Sequence, residues 1–358
     1  MEIMEHLKLI EELCNANGAP GFEDDVVALG KKYAENLAEV SEDCLRNLYL
    51  ARKGNTGKKP VVMLDAHSDE VGFIVSGIKD NGTLKFAPLG GWVPNNIPAH
   101  TVRVRNTEGK WIRGIVAAKP SHFVSAAEKN AAPNIADMVI DVGACSKKEL
   151  EEDYKIAFAA PIVPDVDFIY DEKKNLMSAK AFDDRIGCAA VIGTLDALQK
   201  ESLKVDVVGT FSSQEELSTR GVKVAVNQVK PDIAIVLEGS PADDTFVSAS
   251  EQQCAMGKGP MLRHMDGGML TNPRFQRFTL DLAKKHGIPV QEGLRTVGTT
   301  NASFIYTSNE GIPAIVIGVP VRYSHSHYGY CSLKDYEAAV NLATEIIKAL
   351  DEETIAGF

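Results

Sequence analysis

Four short aliphatic runs constrain this chain most: PVVMLD at 60–65, VDVVGTF at 205–211, DIAIVLE at 232–238 and PAIVIGV at 313–319. A strand with one face in water alternates apolar and polar residues, but these runs are apolar almost throughout. That is the pattern of strands buried on both faces by helices. Helical segments stand between them. DDRIGCAAVIGTLDALQK (183–200) puts Ile186, Ala190, Leu195 and Leu198 on one face behind an acidic start, and SLKDYEAAVNLATEIIKAL (332–350) opens with Ser332 and Asp335 in capping-box spacing. Both are expected to be amphipathic cover helices on an α/β sandwich.

Residues from about 76 to 165 follow another rhythm. KDNGTL (79–84) and NTEGKW (106–111) offer hairpin turns, and TVRVR and WIRGIV are short alternating segments beside them. Because strand–helix patterning lies on both sides, the expected organisation is one α/β domain made of 1–75 and 166–358. A separate β domain, 76–165, is inserted into it.

Composition narrows the functional classes. A chain of 358 residues, 44% hydrophobic and 24% charged, can bury a large core. A formal net charge of -11 with scattered Lys and Arg would repel a phosphate backbone, which argues against nucleic acid as a partner. No run approaches the roughly 20 apolar residues of a membrane span, so no membrane association is expected. The opening MEIMEHLKLIEELCNANGAPGFEDD carries acids inside its apolar pattern and reads as an amphipathic helix of a cytoplasmic protein. Cys14, Cys44, Cys145, Cys188, Cys254 and Cys331 lie far apart, without the paired spacing of a disulfide scaffold or a zinc knuckle.

Acids and histidines recur where the strands end. His67 and Asp69 follow VVML, Glu215 and Glu216 follow VVGTFSSQ, and Glu238 closes DIAIVL; His325 and His327 come after AIVIGVPVRYS, and Asp183 and Asp184 begin a helix. Ligand sites of α/β sheets lie outside the carboxyl ends of the strands. Side-by-side carboxylates there would cost several kcal/mol in repulsion and desolvation without compensating cations. His67, Asp183, Glu216, Glu238 and His325 supply two imidazoles and three carboxylates. With one carboxylate bridging, that set suits two divalent ions per subunit, each with open positions for water and substrate. Mixed nitrogen and oxygen donors without thiolate fit zinc, cobalt or manganese.

The fragments AHSDEVGF, LGGW, IRGIVAAKPSH, IDVGACSKKE, AFDDRIGC, QEE followed by RG, and RYSHS occur in this order over nearly the whole chain. In this the sequence resembles the M42 family of metallo-aminopeptidases, also called the TET or glutamyl aminopeptidase-like family. The resemblance implies a three-layer, phosphorylase/hydrolase-like aminopeptidase domain with an inserted small β-barrel, and hydrolysis of amino-terminal residues from peptides. By the same resemblance His67 and Glu238 would bind one metal, Glu216 and His325 the other, and Asp183 both, across a cis peptide to Asp184. Asp69 would hold the His67 imidazole, and Glu215, free of metal, would act as general base. Homo-oligomers built from dimers through the inserted domain, commonly tetrahedral dodecamers, are implied too.

The sequence departs from the family at Glu238, where aspartate is commoner, and at Thr300, where an acid is usual. A catalytically impaired scaffold is therefore one alternative. A glycosidase is another, since some relatives carry an endoglucanase label, although two-carboxylate cleavage needs no histidine ligands. His6, His100, His264 and His286, with no acidic partner at comparable spacing, are expected to be structural or surface residues. His122 has no assigned mechanism.

Overall fold

The computed structural model describes residues 3–126, 128 and 131–358. Met1 and Glu2 of the expected amino-terminal helix, and residues 127, 129 and 130 of the expected inserted domain, lie outside the described residues.

The four apolar runs become neighbouring parallel strands in the spatial order Asp206–Ser212, Val61–His67, Ile233–Pro241 and Ala314–Arg322. Antiparallel strands extend both edges, to Leu48–Arg52 and Ala38–Glu42 on one side and to Gly329–Ser332, Leu176–Ala179 and Ile169–Asp171 on the other. Successive residues of a strand point to opposite faces, and here they enter two separate cores. Val62 and Leu64 pack with Ile235, Leu237 and Ile317 under the helices Ile3–Asn15, Phe182–Ala197 and Leu333–Ala349. Met63 packs with Ala234, Val236 and Val316 under Arg220–Val229 and Ala302–Ile305. Two covered faces make the three layers that the unbroken apolar runs require. Among the described residues no helix is long and apolar enough to cross a membrane.

Two local expectations need correction. Phe182–Ala197 is not an amphipathic cover helix, because nearly all of its residues are buried. Small residues let neighbours close in on every side: a methyl group on Gly193 would lie 2.8 Å from the Tyr336 hydroxyl and 3.0 Å from the His6 ring. The Ser332 side chain makes no capping hydrogen bond. Asp335 instead accepts the backbone N–H groups of Gly257 and Gly259, at 2.6 and 2.7 Å, and pins a distant turn to the helix.

Six strands, Gly72–Ile78, Thr83–Leu89, Ile140–Asp141, Trp111–Val116, Thr101–Arg105 and Pro161–Pro164, close a barrel in that order. Its interior holds Phe73, Val75, Phe86, Val102, Val104, Ile140 and Ile162. The barrel starts directly after the AHSDE segment, so the two structures share a junction.

A buried ionic knot fixes that junction. The same Glu70 carboxylate oxygen accepts hydrogen bonds from Lys180, Arg185 and the Gly18 N–H. Arg185 also donates to the carbonyls of Ser68 and Leu13, at 2.8 and 2.7 Å. Removing one member of a buried pair strands the others. Glu70→Ala is therefore expected to lower stability by about 3–5 kcal/mol, measured by chemical denaturation. A loss below about 1 kcal/mol would mean the knot is no stronger than a surface ion pair.

Candidate metal centre

The side chains of the site come from the carboxyl-terminal parts of strands and the turns after them, except Asp183 and Asp184, which stand in the first turn of the helix Phe182–Ala197. His67 closes its strand, and the chain then turns so that Ser68 N–H donates to the Ser212 carbonyl at 2.8 Å. Asp69 next spreads its carboxylate over the neighbouring segment. One oxygen accepts the Glu215 N–H at 2.9 Å and the other the Glu216 N–H at 3.0 Å. His67 Nδ1 lies 3.1 Å from the Asp69 carbonyl oxygen and 3.4 Å from its Oδ1. Asp69 thus ties the imidazole to the turn that carries both glutamates. That turn has a second tether, since Gln214, with φ of 52°, donates its N–H to buried Glu23 at 3.1 Å.

Asp183 stands between two imidazoles. Its Oδ1 is 3.1 Å from His67 Nε2, and its Oδ2 is 3.4 Å from His325 Nε2 and accepts the Ser324 hydroxyl at 2.9 Å. Glu238 Oε1 lies 3.6 Å from His67 Nε2, and Glu216 Oε1 lies 3.6 Å from His325 Nε2. The Asp183–Asp184 peptide is cis. Asp184 is held by the N–H groups of His67 at 3.1 Å and Gly187 at 2.9 Å. The seven residues singled out from the sequence as ligands or catalytic groups therefore lie close together around Asp183, whose two oxygens face His67 and His325.

The charges are out of balance for a site that holds only protein. Burial pushes the Glu216 carboxyl up to about 8 and Glu238 up to about 7, and Glu215 and Asp184 well above the usual carboxylate range. Burial also opposes charge on the imidazoles, but their hydrogen bonds to Asp183 and the acids around them win. His67 rises well above its ordinary value and His325 rises to about 10. Burial disfavours ionised Asp183 as well, yet the two imidazoles hold it below the usual range. A cation bound among these acids would offset the repulsion and desolvation that raise them.

The donor set fits divalent metal. One ligand atom from each of His67, Asp183 and Glu216 lie within 4.8 Å of one another, as do those of His67, Asp184 and Glu238. Asp184, read from sequence only as the cis partner, is thus a further oxygen donor within reach. His327 does not join the set: it is 1% exposed, both ring nitrogens lack hydrogen-bond partners, and its ring stacks on His100 at 4.2 Å. His122 sits in the exposed turn Ser121–Phe123. His264 and His286 do have acidic partners, Glu292 at 2.7 Å and Glu345 at 3.3 Å, which lie far from them in sequence.

A cleft of about 520 Å³ opens beside the donors, and Glu215, Glu238, Arg263, Arg295, Thr299 and Thr300 are among the residues that line it. Thr300 keeps a buried hydroxyl and Arg263 a buried Nε without hydrogen-bond partners. Next to Thr300, Asn301 turns the other way and donates to Asp65 at 2.8 Å, anchoring the segment to the sheet. Glu23, Arg263 and Arg295 were missed from sequence because each is a lone charged residue with no local pattern.

The sequence profile of the M42 glutamyl aminopeptidases matches residues 47–342. The glutamyl aminopeptidase of Lactococcus lactis subsp. cremoris is 30% identical over 358 residues, with 99% of each chain covered. A TET aminopeptidase from the marine sediment archaeon Thaumarchaeota superimposes with a TM-score of 0.94 at 37% identity, covering 99% of both chains. The TET1 peptidase of Pyrococcus horikoshii, which can assemble into a tetrahedron or a large octahedral shell, does so with a TM-score of 0.85 at 26% identity, covering 98% of this chain and 100% of that one. A match in fold and sequence from end to end, over residues that gather imidazoles and carboxylates at the carboxyl-terminal side of the central strands, leaves one conclusion: the chain belongs to the M42 family of metal-dependent aminopeptidases.

Proposed function

We propose that this aminopeptidase works with two divalent ions, zinc or cobalt before manganese, one held by His67 and Glu238 and the other by Glu216 and His325, with Asp183 shared. The observation that carries this reading is the Asp183 carboxylate, whose two oxygens face two different imidazoles. Glu238, longer than the usual aspartate, still reaches to 3.6 Å from His67. Ions bound there supply Lewis acidity toward the scissile carbonyl and the attacking water.

The chain's own residues do the rest. Asp69 fixes the imidazole of His67 and, through two N–H groups, the backbone from which Glu215 projects. Glu215 takes the proton from the attacking water as the oxygen–carbon bond forms, and delivers it to the peptide nitrogen as the carbon–nitrogen bond breaks. The products are a free amino acid and a peptide shorter by one residue. Neighbouring glutamates divide the work because adjacent side chains diverge, so that Glu216 ligates while Glu215 remains free.

Arg263 and Arg295 favour an acidic amino-terminal side chain. Their counter-ions, Asp266 at 3.2 Å and Asp243 at 3.3 Å, are not among the residues that line the cleft. The glycosidase alternative gains nothing from a site whose carboxylates are clasped by imidazoles. We further propose a cytoplasmic homo-oligomer built from dimers, in the manner of the tetrahedral relatives. Exposed Val93, Ile115, Phe123 and Phe158 between residues 76 and 165 support such an interface.

Purified protein should release free amino acids from the amino termini of a mixed peptide library, lose that activity on chelation and regain it with Co²⁺ or Zn²⁺. Release that survives complete metal removal would sink the metal mechanism. Glu215→Gln is expected to keep its metal and assembly while kcat falls at least about a hundredfold; near-normal turnover would remove Glu215 from the base role. Arg295→Ala should lower kcat/KM on a glutamyl substrate roughly tenfold or more through loss of a charge-assisted contact. A leucyl substrate should be little affected, and equal losses on both would refute the assignment of Arg295 to side-chain selection.

A further inference from the structure

The LGGW segment, Leu89 to Trp92, has no role in the chemistry above, yet it touches the centre. It leaves the barrel at the end of the strand Thr83–Leu89 and passes over the Glu216 and His325 donors. The approach is too close for ordinary side chains. A methyl group on Gly90, whose φ is +91°, would lie 3.1 Å from Glu216 Oε2, and one on Gly91 would lie 3.2 Å from His325 Nδ1. Only glycine gives the backbone both this access and, at Gly90, its left-handed conformation.

At the point of contact the Gly91 carbonyl oxygen is 2.8 Å from His325 Nδ1. A carbonyl carries no proton, so Nδ1 must donate. The neutral ring then presents a bare Nε2, the nitrogen that faces Asp183 and Glu216. Trp92 holds the segment in place: its Nε1–H donates to the Gly72 carbonyl at 3.0 Å, and its ring stacks on Phe73 of the barrel core at 4.6 Å. The Trp92 ring also lies 5.1 Å from that of His327, tilted by 55° to it, and His327 stacks on His100. One loop, Tyr323 to Gly329, is therefore gripped twice from the barrel side.

We propose that LGGW is a positioning element of the metal centre: Gly91 selects the His325 tautomer and direction, Gly90 lets Glu216 pack beneath the backbone, and Trp92 anchors both to the barrel. His327 serves as a packed ring in that anchor. This rests on the two-ion reading above. The barrel is then part of the active site and completes one of its two donor groups.

The test is metal binding to the full-length protein. Zn²⁺ or Co²⁺ affinity is measured by equilibrium dialysis, with the absorption spectrum of the Co²⁺ form and the thermal midpoint recorded alongside. The backbone at Gly91 has no left-handed φ, so Gly91→Ala should fold. It is expected to bind one ion as tightly as the wild type and the other about tenfold or more weakly, the usual effect of losing a ligand's supporting hydrogen bond. Its cobalt spectrum should change at an unchanged midpoint. Trp92→Phe, which keeps the ring stack and loses only the donor to Gly72, should weaken the same ion less. Two ions bound at wild-type affinity in both variants would overturn the proposal. A wild type that binds fewer than two ions would overturn the two-ion reading and the proposal with it.

Discussion

The arrangement of this molecule depends on one carboxylate held between two imidazoles. Asp183 stands at the start of a helix buried almost all round, so its position is set by a core packed on every side of that helix. His67 comes to it from the end of a central strand, and His325 from a loop beyond another. A buried charge costs several kcal/mol unless it is paired and hydrogen-bonded. Asp183 meets both conditions, with His67, His325 and Ser324 each in contact. The acids that crowd around it are tolerated only because cations, whether protons or metal, gather at the same place.

The supporting framework is hydrogen-bonded backbone more than side-chain bulk. Asp69 binds two consecutive N–H groups, Glu23 the one before them, and Asp184 the N–H of His67 itself. Four segments far apart in sequence are stitched into one surface by these three carboxylates. Glu70, Lys180 and Arg185 repeat the device one layer deeper. Polar groups buried in this way are worth their desolvation because every alternative placement leaves a main-chain group unpaired.

Much of this was legible in the sequence, for a physical reason. Unbroken apolar strands announce their two-sided burial, and acids that follow such strands must emerge on one edge of the sheet, so His67, Glu215, Glu216 and Glu238 could be gathered without coordinates. Helix 182–197 differs from its expected character because periodicity marks only its most apolar stripe, whereas small residues such as Gly193 let Tyr336, His6 and Val340 close over the rest. Ser332 and Asp335 had the right spacing for a cap, but Asp335 found better donors across the fold. Arg263, Arg295 and Glu23 act through partners brought by other loops, and a lone charge carries no sign of where its partner will be.

The alternation of strand Val61–His67 between two cores has a further consequence. A slip of one residue against either neighbouring strand would reverse every side chain between the layers, and would turn His67 from Asp183 toward the opposite face. Strand register and the donor geometry are therefore a single structural fact, so that a preparation's metal content also counts the fraction of its chains that have threaded correctly.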